Sequence, residues 1–140
     1  LIAYLDSSVI LRLVLGQSKR LAAWKSIRRG VASAIVEVEC LRTLDRLRLL
    51  EDISDHEIAI RREAAFRLLA EIEIVEVGRP VLSRAAQAFP TPLGTLDAIH
   101  LATAILWKET GNHDLVMATH DSALALASRA CGLSVIGDRN

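Results

Sequence analysis

At 140 residues the chain has the length of one compact domain, since single cores usually span about 100–200 residues, and this argues against a two-domain enzyme. An apolar fraction of 51% with only 4% aromatic residues and a mean hydropathy of +0.32 describe an aliphatic core and exclude a disordered chain. Seventeen Lys and Arg balance seventeen Asp and Glu for a net charge of +0. No global positive field therefore draws the protein onto nucleic acid or an anionic membrane, and any polyanion site must be local.

The chain order reads as alternating strands and helices. A strand over 2–5 ends in Asp6-Ser7-Ser8, natural N-caps from which a first helix starts. Leu21, Trp24 and Ile27 recur at three-residue steps, which predicts an amphipathic helix over 17–29 closed by Gly30 as its C-cap. A brief strand at 31–32 follows, then Ser33 caps a helix over 34–50 and Ser54 caps another over 54–72. The β-branched run 74–77 is a third strand, and Pro80 opens a short helix to about Ala88, where its missing N–H is harmless. Phe89-Pro90-Thr91-Pro92-Leu93-Gly94 is a loop, after which Thr95 caps a largely apolar helix over 96–110. A fourth strand at 115–118, a helix over 121–130 and a fifth strand at 134–136 complete a single α/β domain over 1–140 with a parallel sheet.

Only Lys19, Lys25 and Lys108 are lysines, the other cations being arginines. Guanidinium groups read phosphate bidentately, but a GC-rich coding sequence gives the same bias, and composition is the favoured explanation. Cys40 and Cys131 lie far apart in apolar stretches without zinc-like spacing, as expected of buried thiols in a reducing compartment. No apolar run reaches the ~18 residues of a membrane span and the opening residues lack a basic leader, so the expectation is a soluble, cytoplasmic protein with no membrane partner.

In parallel sheets ligands collect beyond the C-terminal strand ends, where the strand order reverses. Asp6 follows the first strand, and Thr119, His120 and Asp121 follow the fourth. Each Asp alone is explained as an N-cap. Asp97 stands in the first turn of an apolar helix, where a dipole role is worth about 0.3–1 kcal/mol when exposed and burying an unpaired carboxylate costs more. A divalent cation resolves that conflict for clustered acids. On a helical wheel Glu39 shares a polar sector with Arg42 and Arg46, whereas Glu37 falls among Val36, Cys40, Leu41 and Leu44, and periodicity does not choose between the two glutamates. Asp114 and His113 precede the fourth strand and belong to the opposite rim.

Around these acids, Ser8 and Thr119 are candidates for supporting hydrogen bonds, weighed against local cap or turn bonds. Arg12, Arg42 and Arg46 are candidate phosphate contacts, and Arg61-Arg62 reads as a solvated face. His100 shares a helical face with Asp97, and a packed, hydrogen-bonded core histidine is favoured over a general base. Trp24 and Trp107 read as core or interface anchors.

Together Tyr4-Leu5-Asp6-Ser7-Ser8-Val9-Ile10-Leu11, the segment Ser33 to Arg42, LDAIHLATA from Leu96 to Ala104 and ATHDSALALASRACGLSVIG from Ala118 to Gly137 resemble the successive motifs of PIN-domain ribonucleases, in particular the VapC toxins of bacterial toxin-antitoxin pairs. The resemblance implies five or so parallel strands in order 3-2-1-4-5 flanked by helices. It implies an endoribonuclease that hydrolyses tRNA, rRNA or mRNA with Mg²⁺ or Mn²⁺, a VapB-type antitoxin that covers the groove, and a homodimer. Its four acids map onto Asp6, Glu39, Asp97 and Asp121, with Glu39 and not Glu37 under the motif glutamate. Asp6 and Asp97 are then the principal metal ligands, with Asp121, and with Glu39 completing the pocket directly or through water.

Other classes with an Asp at the first strand end fail on position. A haloacid-dehalogenase-like phosphatase needs a second Asp where Ser8 stands, and a receiver domain needs one where Gly78-Arg79-Pro80 stands. The alternative from a different class is a catalytically silent PIN-like interaction module whose acids only cap helices.

Overall fold

A computed structural model describes residues 1–51, 53–111 and 113–138. Among them five strands, β1 (Ile2–Leu5), β2 (Arg29–Ser33), β3 (Glu73–Val75), β4 (Val116–Ala118) and β5 (Ser134–Ile136), form one sheet in the order β3-β2-β1-β4-β5. Every pairing is parallel. Six α-helices flank it: α1 (Ser7–Val14), α2 (Ile35–Leu50), α3 (Asp55–Ala70), α4 (Arg79–Ala85), α5 (Thr95–Gly111) and α6 (Ser122–Ala130). The chain builds outward from β1 to β3, then returns to the other side of β1 with β4. The reversal thus falls between β1 and β4, where the rule for open parallel sheets places a ligand crevice.

Strand periodicity splits the core in two. Ala3 and Leu5 of β1, Ala32 of β2 and Ala118 of β4 pack with Val9, Ile10, Val36, Cys40, Leu44 and Ala65 of α1, α2 and α3. The alternate residues Tyr4, Val31 and Met117 point the other way, onto Leu101 and Ala104 of α5 and Leu124 and Ala127 of α6. This alternation sends the Tyr4 ring toward α5 while Asp6, just past the strand, stays at its end.

The segment 17–29 departs from the helix expected there. Only a 3₁₀ turn, Trp24–Ser26, forms, closed by bonds from Trp24 N to Leu21 O, Ser26 N to Ala23 O and Ile27 N to Trp24 O. The three-residue spacing is the eclipsed i, i+3 repeat of a 3₁₀ turn, and a spacing of three without fours does not sustain an α-helix. Gly30, expected as a C-cap, lies inside β2. A side chain there would meet Leu5 Cδ1 at 2.9 Å, so glycine leaves room for the Leu5 side chain over β2.

Smaller shifts occur at helix ends. Helix α4 stops at Ala85, short of Ala88; Thr95 lies within α5 and Gly94 O accepts the Ala98 N–H. Ser33 ends β2 and its hydroxyl accepts the Ile35 N–H, while Ala34 takes the cap position. Ser54 caps α3 as expected, accepting from Glu57 N at 3.1 Å. Among the described residues no helix is long and apolar enough to cross a membrane. Cys40 is buried and Cys131 partly exposed, both free.

Candidate active site

Asp6 is delivered by β1 and is buried, with 4% of its surface exposed. Its N–H extends the sheet by donating to Ala118 O at 3.1 Å. Its carboxylate caps α1, Oδ1 accepting from Ser7 N at 2.8 Å. The other oxygen, Oδ2, accepts from Ser8 Oγ and from Thr119 Oγ1, each at 2.8 Å. Three donors on one buried carboxylate fix its orientation and compensate its lost hydration.

Ser8 and Thr119 each make a second bond. Ser8 Oγ accepts from His120 N at 3.0 Å and Thr119 Oγ1 from Asp121 N at 3.0 Å. On Thr119 the local turn bond and the bond to the acid coexist on one hydroxyl, because a hydroxyl donates one proton and accepts with its lone pairs. Asp121 in turn caps α6, Oδ1 accepting from Leu124 N at 2.8 Å. The ends of β1 and β4 are thereby stitched into one rigid edge that carries Asp6 and Asp121.

The opposite wall comes from α2 and α5. Glu39 precedes the buried Cys40 and lies on the flank of the Val36, Cys40 and Leu44 face, half-buried, with Ser7 Oγ at 3.5 Å from Oε2. Glu37, which the wheel put among apolar neighbours, is exposed. The buried residues of α2 are Val36, Cys40 and Leu44, and Glu37 lies past the edge of that face. His100, one turn after Asp97, is fully buried. Its Nε2 lies 2.5 Å from Glu39 Oε1 and 3.7 Å from Asp6 Oδ1, and its Nδ1 lies 2.6 Å from Tyr4 Oη. It is the packed, hydrogen-bonded histidine expected, but its partner is an acid of the site.

Asp97 is half-buried and its carboxylate makes no hydrogen bond or ion pair to another described residue. Burial, followed by the negative charges of Asp121, Asp6 and Glu39 and against the pull of His100, pushes its carboxyl up to about 6. All four acids thus share one electrostatic field. For His100, burial alone lowers the pKa. The Glu39 hydrogen bond and the charges of Asp6, Glu39 and Asp97 outweigh it and the net direction is upward. Tyr4 and Cys40 are both raised by burial first, Cys40 to about 12 with Glu39 and Asp6 adding to it.

Arg42 and Arg46 line a groove of about 380 Å³ that also includes Ser7, Glu39, Val38 and Leu96, so they border Glu39. The Arg42 side chain is 75% exposed, its nearest acid being Asp45 at 3.7 Å. Arg12 instead donates to Lys19 O at 2.9 Å and braces the 17–29 segment. Arg61 is not a solvated residue: it pairs with Glu57 at 2.9 Å and donates to Val14 O at 3.0 Å, tying α3 to the end of α1. Trp24 packs on one core and Trp107 on the other. Asp114 and His113 line a separate pocket with Lys108 and Cys131 at the other rim.

Sequence reasoning passed over Tyr4 as a member of this cluster. Its position two residues before Asp6 was visible, but its partner His100 is 96 residues away, and only the alternation of β1 aims one at the other.

The donor set suits a hard divalent ion. Carboxylate oxygens prefer Mg²⁺ or Mn²⁺, and an unpartnered, mutually repelling Asp97 is the group such an ion would relieve. Among the described residues no three or more His, Cys, Asp or Glu side chains are grouped so as to hold a metal ion by themselves. Asp6, Asp97 and Asp121, with Glu39, are the residues that would hold it.

The PIN domain family model matches residues 3–129. The chain is 34% identical over 137 residues to "Ribonuclease VapC46" of Mycobacterium tuberculosis, covering 95% of each. It is 33% identical over 141 residues to "Ribonuclease VapC35" of the same species, covering 95% of this chain and 94% of that protein. Among solved structures, a "Toxin-antitoxin complex from Klebsiella pneumoniae" aligns with a TM-score of 0.62 at 18% identity over 97% of this chain and 96% of that one. PAE2754 from Pyrobaculum aerophilum aligns with a TM-score of 0.59 at 16% identity over 96% and 87%. At those identities the two structures speak for the fold, and the sequence matches speak for the family. With the strand order, the strand-end acids and these matches in agreement, the chain belongs to the PIN-domain family, in its VapC branch.

Proposed function

We propose that this protein is a divalent-metal-dependent endoribonuclease, the toxin of a toxin-antitoxin pair, acting in the cytoplasm on tRNA, rRNA or mRNA. The observation that carries this reading is Asp97, whose half-buried carboxyl is pushed up to about 6 by burial and by the charges of Asp121, Asp6 and Glu39. Four acids in one field, which the nearby His100 only partly offsets at Asp97, call for a cation. Mg²⁺ or Mn²⁺, when bound, supplies phosphate binding, charge neutralisation and acidification of water for in-line attack on phosphorus.

The chain's own residues divide the remaining work. Asp6, held by Ser7, Ser8 and Thr119, and Asp97 are the principal ligands, and Asp121 and Glu39 complete the pocket. Arg42 and Arg46 meet RNA phosphates along the groove beside Glu39, while Val38 and Leu96, 62% and 52% exposed, offer bases an apolar seat. Single-stranded or splayed RNA suits such a surface better than a duplex.

A VapB-type antitoxin is the protein partner, and the working unit is a homodimer. Leu49 and Leu50 at the end of α2 and Ile60 and Phe66 on α3 are exposed apolar side chains that suit an antitoxin helix.

The test is cleavage of RNA by purified protein with Mg²⁺, with Mn²⁺ and with EDTA, beside an Asp6→Asn control. Expected is cleavage that needs the ion and disappears in the control. A second reading has its own observation: Asp6 and Asp121 both cap helices, as the acids of a catalytically silent interaction module would. Absence of metal-dependent cleavage supports that module, and metal-dependent cleavage that survives Asp6→Asn overturns the assignment of the acids.

A further inference from the structure

None of the other three acids bonds to an imidazole: Asp6 accepts a backbone N–H as a cap and two hydroxyls, Asp121 accepts an N–H as a cap, and the Asp97 carboxylate has no hydrogen bond to another described residue. Glu39 differs. Its short bond is to an imidazole, and that imidazole ends a chain of buried groups drawn from three other elements.

The direction of each bond in that chain follows from the donor inventory. Ser33 N–H, at the end of β2, donates to Tyr4 Oη at 3.2 Å. Tyr4 Oη lies 2.6 Å from His100 Nδ1, and His100 Nε2 lies 2.5 Å from Glu39 Oε1. An ionised glutamate only accepts, so Nε2 carries a proton. In the neutral ring Nδ1 is then bare and takes the Tyr4 hydroxyl proton, leaving the phenolic oxygen free to receive Ser33 N–H. In the protonated ring Nδ1–H points at the same oxygen and Nε2–H is unchanged. Both forms donate to Glu39.

Packing removes the ring's other options. Tyr4, Ser33 and His100 are each 0% exposed, and the two rings meet edge to face with centroids 5.7 Å apart at 74°. Nε2 is also 3.7 Å from Asp6 Oδ1, too far for a hydrogen bond but close enough that the same N–H lies between two acids. A free glutamate side chain has rotamer entropy to lose on ordering. An anchored donor removes that cost before any ligand arrives.

We propose that His100, oriented by Tyr4 and the Ser33 amide, is a positioning residue that holds the Glu39 carboxylate beside Asp6 in the arrangement needed for metal and RNA. The proposal rests on the reading of Glu39 as an acid of the site. It differs from a general-base role, since the buried ring has no path to substrate, and from a packing role, since its orientation is set by donors and acceptors.

The test uses two substitutions of similar size. His100→Gln can place an amide N–H near the Nε2 position, whereas His100→Asn is one methylene too short. Urea unfolding establishes that each variant is folded, Mn²⁺ affinity is read by electron paramagnetic resonance, and kcat and KM are measured on RNA. Outer-shell hydrogen bonds to metal ligands typically carry 10- to 100-fold in affinity or activity, so the Asn variant should lose about that much Mn²⁺ affinity and kcat at constant KM, and the Gln variant should recover to within about threefold. Equal losses in both variants, or none in either, overturn the proposal.

Nitrogen-15 NMR gives a readout independent of activity: His100 Nε2 should be protonated at neutral pH, and an unprotonated Nε2 overturns the relay whatever the kinetics. Glu39→Gln separates the two layers of inference. If it impairs Mn²⁺ binding and cleavage while His100→Asn behaves as wild type, the relay alone is wrong. If it impairs neither, Glu39 is not a site acid and the relay has nothing to position.

Discussion

Thr119 donates its hydroxyl to Asp6 Oδ2 at 2.8 Å across 113 residues of sequence. The same hydroxyl oxygen accepts the Asp121 N–H, so one buried side chain sets both the orientation of one acid and the backbone course leading to another. Thr119→Val keeps the shape and removes the hydroxyl, leaving the buried Asp6 carboxylate one donor short and the Asp121 amide without its acceptor. The expected loss is about 1–3 kcal/mol of stability, the usual cost of an unsatisfied buried group. Urea unfolding measures it, and Thr119→Ser should recover most of it. A Val variant as stable as the wild type would show that the bond carries nothing.

Asp97 gives a pH signature for the metal-free protein. Its carboxyl is raised from 3.8 to about 6, by burial first and then by the neighbouring acids. The folded state therefore holds this proton more tightly than the unfolded state, and stability contributed by Asp97 falls as pH rises through that window, with the penalty fully present above it. Asp97→Asn removes the repulsion. The variant should be more stable than wild type near neutral pH by roughly 1 kcal/mol, a figure already reduced for solvent screening at a half-exposed site, and the advantage should shrink toward pH 4. Excess Mn²⁺ should stabilise the wild type more than the variant. Thermal melts at several pH values with EDTA check this, and a variant less stable at neutral pH would sink it.

Arg42 and Arg46 share a groove with Glu39. Replacing both with Ala should raise KM for RNA about tenfold with kcat little changed, and flatten the salt dependence by roughly one unit of slope for each phosphate that an arginine no longer neutralises. Unchanged KM and unchanged slope would route the RNA over another surface.

Gly137 lies at φ 104°, and a side chain there would meet the Thr119 carbonyl oxygen at 2.7 Å. That backbone cannot yield without moving Thr119 off Asp6. Gly137→Ala should cost about 2 kcal/mol or more, against a few tenths for Gly94→Ala, which meets open space at a position without a positive φ. Chemical denaturation of the two variants decides it.

Much of this protein is local enough to be legible. The β1 run, the Ser54 cap and the Asp121 cap are set by neighbours within four residues, and the parallel α/β architecture follows from their alternation. The strand-end positions of Asp6 and Asp121 follow from the same alternation. Where a pattern served two local structures the sequence was ambiguous, as in the three-residue spacing of Leu21, Trp24 and Ile27, which closed a 3₁₀ turn and not an α-helix. Gly30 read as a cap because the close approach of Leu5 comes from another strand.

The sequence by itself determined most of the elements, their order, and which acids stand at strand ends. The tertiary structure decided which side chains meet. Glu39 is tied to His100 over 61 residues and Tyr4 to His100 over 96, and no periodicity encodes such distances. They are set when the pleat of β1 turns Tyr4 toward α5 and Asp6 toward the sheet edge, and when burial removes water as the competing partner, so that each polar group must find a donor or acceptor inside the fold.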